Sequence, residues 1–385
     1  MTIDRDTLDQ LVFQVRRFVR ERLIPLEREV DENDRIPDGI IGEMKELGLF
    51  GLSIPEEYGG LGLKLTEEIR VVQEIGYTAP AFRTAFGTNV GIGSQGILID
   101  GTEAQKKKYL PKLASGEITG SFALTEPEAG SDAASVMTSA RADGDYYIIN
   151  GNKRFITNAP NAGLFTVMAR TGTPEARGRG ISAFLIEAKT PGIELGLPEK
   201  KMGFKGAPCC DVTFNNVRVH KEQIIGGKEG QGFKTAMKVL DRGRLHISAV
   251  SVGICRRLID ESVNYAIERK QFGERIADFQ LIQAMIADSQ TDYLAGKALV
   301  EASAEKYDAG IPVSTEASCC KLFCTEAAGR IADRAVQIHG GSGYISEYPV
   351  ERFYRDVRLL RLYEGTSQIQ QLVIAKNVIR EAEKD

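Results

Sequence analysis

The feature that most constrains this chain is a change of period along its length. Up to about residue 118 the apolar side chains recur at helical spacing, as in Leu8, Leu11, Val12, Val15, Phe18, Val19 and Leu23 within 7–30. The stretch 48–62 holds Pro55 and several glycines and reads as a loop; helical patterns return at 66–77 and 80–99. Thr102 followed by Gln105 has the form of a capping box opening a helix over 103–115. From Gly120 to about 228 the chain turns into short β-rich runs: Tyr146-Tyr147-Ile148-Ile149, Phe165-Thr166-Val167-Met168, Ser182-Ala183-Phe184-Leu185-Ile186 and Val212-Thr213-Phe214. Asp143-Gly144-Asp145, Asn150-Gly151 and Pro191-Gly192 are the turn signals between them. After Gly232 long helices are expected over 233–268, 279–308, 314–339 and 366–382, for which antiparallel packing of four helices is the simple solution. The expected fold is α+β, with a helical N-terminal domain at 1–119, a central β-barrel or sandwich at 120–230 and a C-terminal four-helix bundle at 231–385.

Composition excludes several functions. With 42% hydrophobic and 26% charged residues the chain has the make-up of a globular protein, and it lacks the long apolar run that a membrane span needs. A net charge of −4 with both signs interspersed gives no electrostatic case for nucleic acid. The start, Met1-Thr2-Ile3-Asp4-Arg5-Asp6, is acidic early and does not resemble a signal peptide, so the expected location is the cytoplasm, or an organelle matrix after processing. The cysteines at 209, 210, 255, 319, 320 and 324 form no C-x-x-C, and the histidines at 220, 246 and 339 are far apart, so no metal site is expected and the thiols read as reduced core residues. Gly91-Ile92-Gly93-Ser94-Gln95-Gly96 fits G-x-G-x-x-G, but the segment before it is helical in pattern. A dinucleotide fingerprint follows a strand, so close helix packing or room for a ligand chain is the better account.

Two segments carry chemistry. In Tyr363-Glu364-Gly365-Thr366-Ser367-Gln368 a glutamate sits on a turn just before the apolar-periodic residues Ile369, Val373, Ile374, Val378 and Ile379. Partial burial there raises a carboxyl pKa toward neutrality and makes a general base; an ordinary helix-entry loop has the same local sequence. Upstream, Phe122-Ala123-Leu124-Thr125-Glu126-Pro127-Glu128-Ala129-Gly130-Ser131-Asp132 reads as a strand stopped by Pro127 and turned at Gly130, with hydroxyls at Thr125 and Ser131. Such a turn can hold a flat polar ring and an anionic phosphate. Further on, Lys153-Arg154-Phe155-Ile156-Thr157-Asn158 sets an aromatic and a hydroxyl on one strand face.

Together with Tyr109-Leu110-Pro111-Lys112-Leu113-Ala114-Ser115-Gly116-Glu117, Glu268-Arg269-Lys270-Gln271-Phe272-Gly273 and Gln337-Ile338-His339-Gly340-Gly341-Ser342-Gly343-Tyr344, these segments resemble the acyl-CoA dehydrogenase family of flavoproteins over nearly the whole chain. The resemblance implies FAD, an acyl-CoA substrate, an electron-transfer flavoprotein as partner, and a homotetramer with FAD at subunit interfaces. It implies that Phe122, Leu124 and Thr125 line the flavin ring, with Phe155 and Thr157 against it and Ser131 on the pyrophosphate or the CoA arm. Relatives often carry tryptophan at 155; phenylalanine keeps the apolar face and loses the indole donor. Arg269, Gln271 and Phe272 match a stretch that reaches a neighbouring subunit's flavin, Gln280 an adenine-side contact, and Gln337, Ile338, Gly340 and Gly341 the turn that receives the pyrophosphate.

Glu364 matches the base that removes the α-proton, with Tyr363 walling the pocket and Thr366 and Gln368 at the flavin edge. Asp241 and Arg244 match the segment beside the substrate, where Arg244 is either structural or CoA-contacting. Branched-chain members carry the catalytic acid at the position of Gly243, so glycine there points to the short- and medium-chain arrangement. Phe82-Arg83-Thr84 resembles the Tyr-Arg-Ser segment of glutaryl-CoA dehydrogenases, whose arginine binds a distal carboxylate; the acid seven residues earlier in those enzymes is Gly76 here. Arg83 therefore either meets an anionic acyl tail, or turns to the helix surface, or pairs with a core acid. An oxygen-using oxidase or monooxygenase on the same fold, and a flavin-binding protein without turnover, are the competing functions.

Overall fold

The structure, a computed structural model, describes residues 3–384; Met1 and Thr2, where the N-terminal reading begins, and Asp385 lie outside the described residues. The N-terminal part is helical: α1 (Arg5–Phe18), α2 (Glu27–Asn33), α3 (Asp38–Glu46), α4 (Leu65–Ile75), α5 (Pro80–Val90), α6 (Gln95–Asp100) and α7 (Glu103–Ala114). The helix expected over 7–30 is bent. After α1 the backbone loosens into a π turn at Val19–Leu23 and a 3-10 turn at Ile24–Leu26, where Pro25 has no N–H to give. The helix expected over 80–99 is broken between α5 and α6 at 91–94. A Cβ on Gly93 would come within 2.7 Å of the Thr88 carbonyl and 3.2 Å of Gly120 backbone, so this glycine serves close packing. The Thr102–Gln105 capping box opens α7, and the Gln105 amide reaches on to the carbonyls of Glu222 and Ile224, both at 2.7 Å, tying the helical part to the middle of the chain.

The middle is one curled seven-stranded sheet: β1 (Thr119–Ala123), β2 (Ser139–Asp143), β3 (Tyr146–Thr157), β4 (Ala162–Arg170), β5 (Ile181–Glu187), β6 (Ile193–Leu195) and β7 (Cys209–His220). Its order is β1-β4-β2-β3-β7-β6, with β5 on β4. Asn150-Gly151, expected to be a turn, lies inside β3, where the pairing with β7 slips between Ile149 and Gly151. This is a bulge, the other setting that favours glycine in a strand.

The C-terminal part holds α8 (Gly232–Glu268), a two-stranded ribbon of β8 (Lys270–Gln271) and β9 (Glu274–Arg275), then α9 (Gln280–Asp308), α10 (Ser314–His339), α11 (Pro349–Leu360) and α12 (Ser367–Ala382). From Arg242 to Cys255 every residue of α8 is buried, which marks it as the central helix, and α9 and α10 pack on it. The four expected long helices are present; α11 is an addition. Its apolar residues Val350, Phe353, Val357 and Leu360 are buried at helical spacing. Two of its charged residues are buried with partners: Arg352 pairs with Glu27 at 2.6 Å, and the Asp356 carboxyl accepts the Phe204 N–H at 2.6 Å. α11 thus pins both other parts of the chain in place. Among the described residues no helix is long and apolar enough to cross a membrane.

Candidate active site

A cavity of about 380 Å³ lies between the sheet and the helices. Its sheet-side wall comes from the end of β1 and the end of β3: Phe122, Leu124, Thr125, Ser131, Phe155 and Thr157. Its helical wall comes from α5, α8 and the turn before α12: Arg83, Gly243, Arg244, His246, Tyr363 and Glu364.

The sheet-side wall is held by buried charge. The Lys153 ammonium, wholly shielded, donates to the Leu124 carbonyl at 3.0 Å and to Glu126 at 2.7 Å. Glu126 also accepts the N–H groups of Met137 and Thr138 at 2.6 and 2.9 Å. Burial pulls the Lys153 pKa down to about 8, against the pull of Glu126. The Thr125 carbonyl accepts from Arg154 N–H at 2.8 Å, which joins the 122–126 segment to β3. Phe155 is in the left-handed region at φ 57 and is 55% exposed, so its ring is turned out of the sheet core.

The helical wall is built around a strained turn. Glu364 has φ 52, a left-handed conformation that a residue with a Cβ adopts at a cost of about 1–3 kcal/mol. Lys321 on α10 donates to the Gly365 carbonyl at 2.7 Å, and Gln370 donates to the carbonyls of Gly365 and Glu364 at 3.0 and 3.3 Å. Thr366 caps α12, its hydroxyl accepting from Ile369 N–H at 3.3 Å. The turn aims the Glu364 carboxyl across α8 at Gly243. A Cβ there would lie 2.5 Å from Oε2, so a larger residue would push the carboxyl aside. Among the described residues Oε2 is shielded from solvent with no hydrogen-bond partner, and no group accepts from the Glu364 N–H. Burial raises the Glu364 pKa; the charges of Arg83, Lys321 and Arg244 oppose the rise. Burial also lowers the Lys321 pKa to about 8 and raises that of Tyr363.

The expected site residues fall into three groups, with Ile338 outside them. Phe122, Leu124, Thr125, Ser131, Phe155, Thr157, Arg83, Arg244, Tyr363 and Glu364 share the cavity wall. Asp241, Thr366 and Gln368 do not reach it: Asp241 pairs with Arg244 at 2.8 Å, Thr366 is spent as a cap, and Gln368 is exposed. Arg269, Gln271, Phe272, Gln280, Gln337, Gly340 and Gly341 are exposed and apart from it, with Phe272 96% exposed at φ 54. Ile338 is buried against Ala266 and Ile276. Arg83 is neither on the helix surface nor paired directly with an acid: it is buried, and its Nε–H donates to His246 Nε2 at 3.0 Å. Sequence reasoning missed His246, Glu68, Lys321 and Gln370. The available signal was a charged or titratable residue on an apolar helical stripe, as Glu68 stands between Leu65, Ile69 and Val72, and Lys321 between Ala317 and Cys324. Cys209, read as a core residue, lies partly exposed on the cavity wall.

Comparison with known proteins identifies the family. The N-terminal, middle and C-terminal domains of acyl-CoA dehydrogenase match residues 5–117, 121–217 and 230–379. The 3-(aryl)acrylate reductase of Clostridium sporogenes is 43% identical over 95% of this chain and 96% of its own length. The CarC subunit of the caffeyl-CoA reductase-Etf complex of Acetobacterium woodii is 42% identical over 91% of this chain and 92% of its own. The structure of butyryl-CoA dehydrogenase from Megasphaera elsdenii superposes with a TM-score of 0.94 at 34% identity, over 98% of this chain and 99% of that one. This chain belongs to the acyl-CoA dehydrogenase family of FAD-dependent oxidoreductases.

Proposed function

We propose that the protein dehydrogenates an acyl-CoA thioester between its α- and β-carbons to the trans-2-enoyl-CoA, with Glu364 as the base. The observation that carries this reading is the unpartnered, solvent-shielded Oε2 of Glu364, aimed into the cavity from a strained turn. An acid that is starved of donors and lifted in pKa by burial is suited to take up a proton. The free Glu364 N–H offers a donor to the thioester oxygen, which lowers the cost of carbanion character at the α-carbon.

The wall opposite fits FAD. Apolar faces at Phe122, Leu124 and Phe155 and hydroxyls at Thr125, Thr157 and Ser131 suit a flat ring with a polar edge. When bound, FAD supplies the acceptor for the β-hydrogen and its electron pair. Glu364 takes the α-proton at the same time, so the two C–H bonds break and one C=C forms. The residues matched to the adenine side, Arg269, Gln271, Phe272 and Gln280, stand exposed on the ribbon and the start of α9. That placement supports a homotetramer in which they serve a neighbouring copy's FAD. The Acetobacterium woodii relative belongs to an Etf complex, which supports an electron-transfer flavoprotein as the redox partner. The partner's potential decides whether the reaction runs as oxidation or, as the two reductase relatives' names suggest, in reverse.

A second reading narrows the substrate to a dicarboxylyl-CoA. It is favoured by Arg83, a guanidinium on the cavity wall whose one hydrogen-bond partner among the described residues is a neutral ring nitrogen. Anaerobic mixing of the flavin-loaded protein with butyryl-, isobutyryl- and glutaryl-CoA tests both readings. Bleaching of the flavin absorbance by at least one straight-chain thioester is expected; none by any of the three would contradict the reaction assigned.

A further inference from the structure

Lys321 is a buried charge that packing alone does not explain. It sits on α10 among Ala317, Ser318, Cys320, Cys324 and Thr325, all buried, and its own side chain is wholly shielded. Taking an ammonium out of water is costly, so such a group is normally met by an acid. Lys153, the other wholly shielded lysine, obeys this rule and pairs with Glu126 at 2.7 Å. Lys321 does not. Among the described residues no acid lies within ion-pair distance of it, and its hydrogen bond runs to the Gly365 carbonyl at 2.7 Å.

The turn does not need a lysine for that bond alone. Gln370, neutral and buried, already donates to the same carbonyl at 3.0 Å and to the Glu364 carbonyl at 3.3 Å. What the lysine adds is charge. The titratable groups around the turn are Tyr363 and Glu364 themselves, Arg83 on α5, Arg244 and His246 on α8, and Glu326 on α10. Burial keeps the Tyr363 phenol and the His246 ring neutral. Glu326 is occupied by Arg361 at 2.8 Å and by the Ser367 hydroxyl at 2.6 Å. Arg244 is paired with Asp241 at 2.8 Å, and Arg83 is bonded to His246 at 3.0 Å. Glu364 remains, its Oε2 without a donor. Lys321 is thus a cation fastened to the backbone of the turn that carries the acid. Its charge opposes the burial that raises the Glu364 pKa, and the Glu364 charge in turn supports the ammonium against burial.

We propose that Lys321 is a positioning residue for Glu364: its bond to the Gly365 carbonyl fixes the turn, and its charge lowers the pH at which the acid ionises. This rests on reading Glu364 as the base, and its test has a readout that needs no turnover. The flavin-loaded protein is titrated by infrared difference spectroscopy, with the C=O stretch of protonated Glu364 identified by its absence in Glu364→Gln. Lys321→Gln keeps a donor and loses the charge. The Glu364 midpoint is expected to rise by about one pH unit, and the acid limb of anaerobic bleaching by butyryl-CoA to move with it. Lys321→Met loses the donor as well, and bleaches about tenfold more slowly than Lys321→Gln at every pH. An unmoved midpoint in Lys321→Gln overturns the electrostatic role; equal rates in the two variants overturn the fixing of the turn. Should neither variant fold, the coupling is read from its other side, because it is reciprocal. Burial brings both shielded lysines, Lys153 and Lys321, down to about 8. In protein labelled with 13C at lysine Cε, one of these two is expected to lose its proton at lower pH once Glu364→Gln removes the acid's charge; identical titration of every lysine contradicts the proposal. Wild-type bleaching by Glu364→Gln alongside a moved lysine would refute the base and not the coupling.

Discussion

Two glutamates near one cavity meet opposite fates. Glu68 is wholly buried, yet its pKa is held at about 2: burial alone would raise it, but the charge of Arg242 and the hydrogen bond from His246 win. Glu364 is less deeply enclosed, its Oε2 has no partner, and the same burial lifts its pKa, with the cations Arg83, Lys321 and Arg244 only opposing from a distance. Burial therefore does not decide what an acid does; the donors left to it do. Glu68 is a fixed charge that organises its neighbours. Glu364 is an acid kept short of partners so that a proton can arrive.

The comparison can be broken by substituting its members. The largest effect is expected at the base. Glu364→Gln keeps the yellow flavin and the fold but slows anaerobic bleaching by acyl-CoA by about 10⁴-fold, the upper range for a general base; wild-type bleaching would end its assignment. Glu68→Gln acts on stability instead: it leaves Arg242 buried without its counter-ion and costs about 3–5 kcal/mol in denaturant unfolding. A cost under about 1 kcal/mol would show the pair to be dispensable.

The pH dependence sharpens the same contrast. Burial first, then the nearby Arg83 charge, lowers His246 from 6.5 to about 4, against the pull of Glu68. An unfolded chain takes up this proton as pH falls through 6.5 and the folded chain does not, so the stability present above 6.5 is lost as pH falls toward about 4. Relative to His246→Gln, the wild type loses about 3 kcal/mol over that window by linkage. Equal slopes for the two proteins would mean that the ring titrates normally. The smallest effect is steric. Gly243→Ala sets a methyl against Oε2 of Glu364 and lowers turnover by about tenfold, about 1.4 kcal/mol, while leaving FAD affinity within about twofold.

Much of this was legible in the chain itself. The switch from helical to alternating patterns marked the three parts, and Thr102 with Gln105 marked a helix start to the residue. Glu364 stood out only beside the upstream 122–132 segment and the family resemblance, because an ordinary helix-entry loop has the same local sequence. That Phe122, Leu124, Thr125 and Phe155 share a cavity wall was reached through the resemblance; the strand, stop and turn alone offered only a place for a flat ring and a phosphate. What was hidden depends on long-range pairing. Glu68 and His246 are 178 residues apart and Lys321 and Gly365 are 44 apart, so no local spacing links them. α11 was overlooked because its charged residues mask the stripe of Val350, Phe353, Val357 and Leu360, and two of those charges are buried by partners in other parts of the chain. Asn150-Gly151 misled because glycine serves a bulge as readily as a turn.

The central claim is that the Glu364 carboxyl receives the α-proton, and the most direct measurement is hydrogen exchange at that carbon. Saturated acyl-CoA is incubated in D2O with flavin-loaded protein and no electron acceptor, and deuterium at the α-carbon is followed by mass spectrometry. The account predicts incorporation by the wild type and, in Glu364→Gln, a rate lower by about 10³-fold or more. Exchange at the wild-type rate in that variant would contradict it.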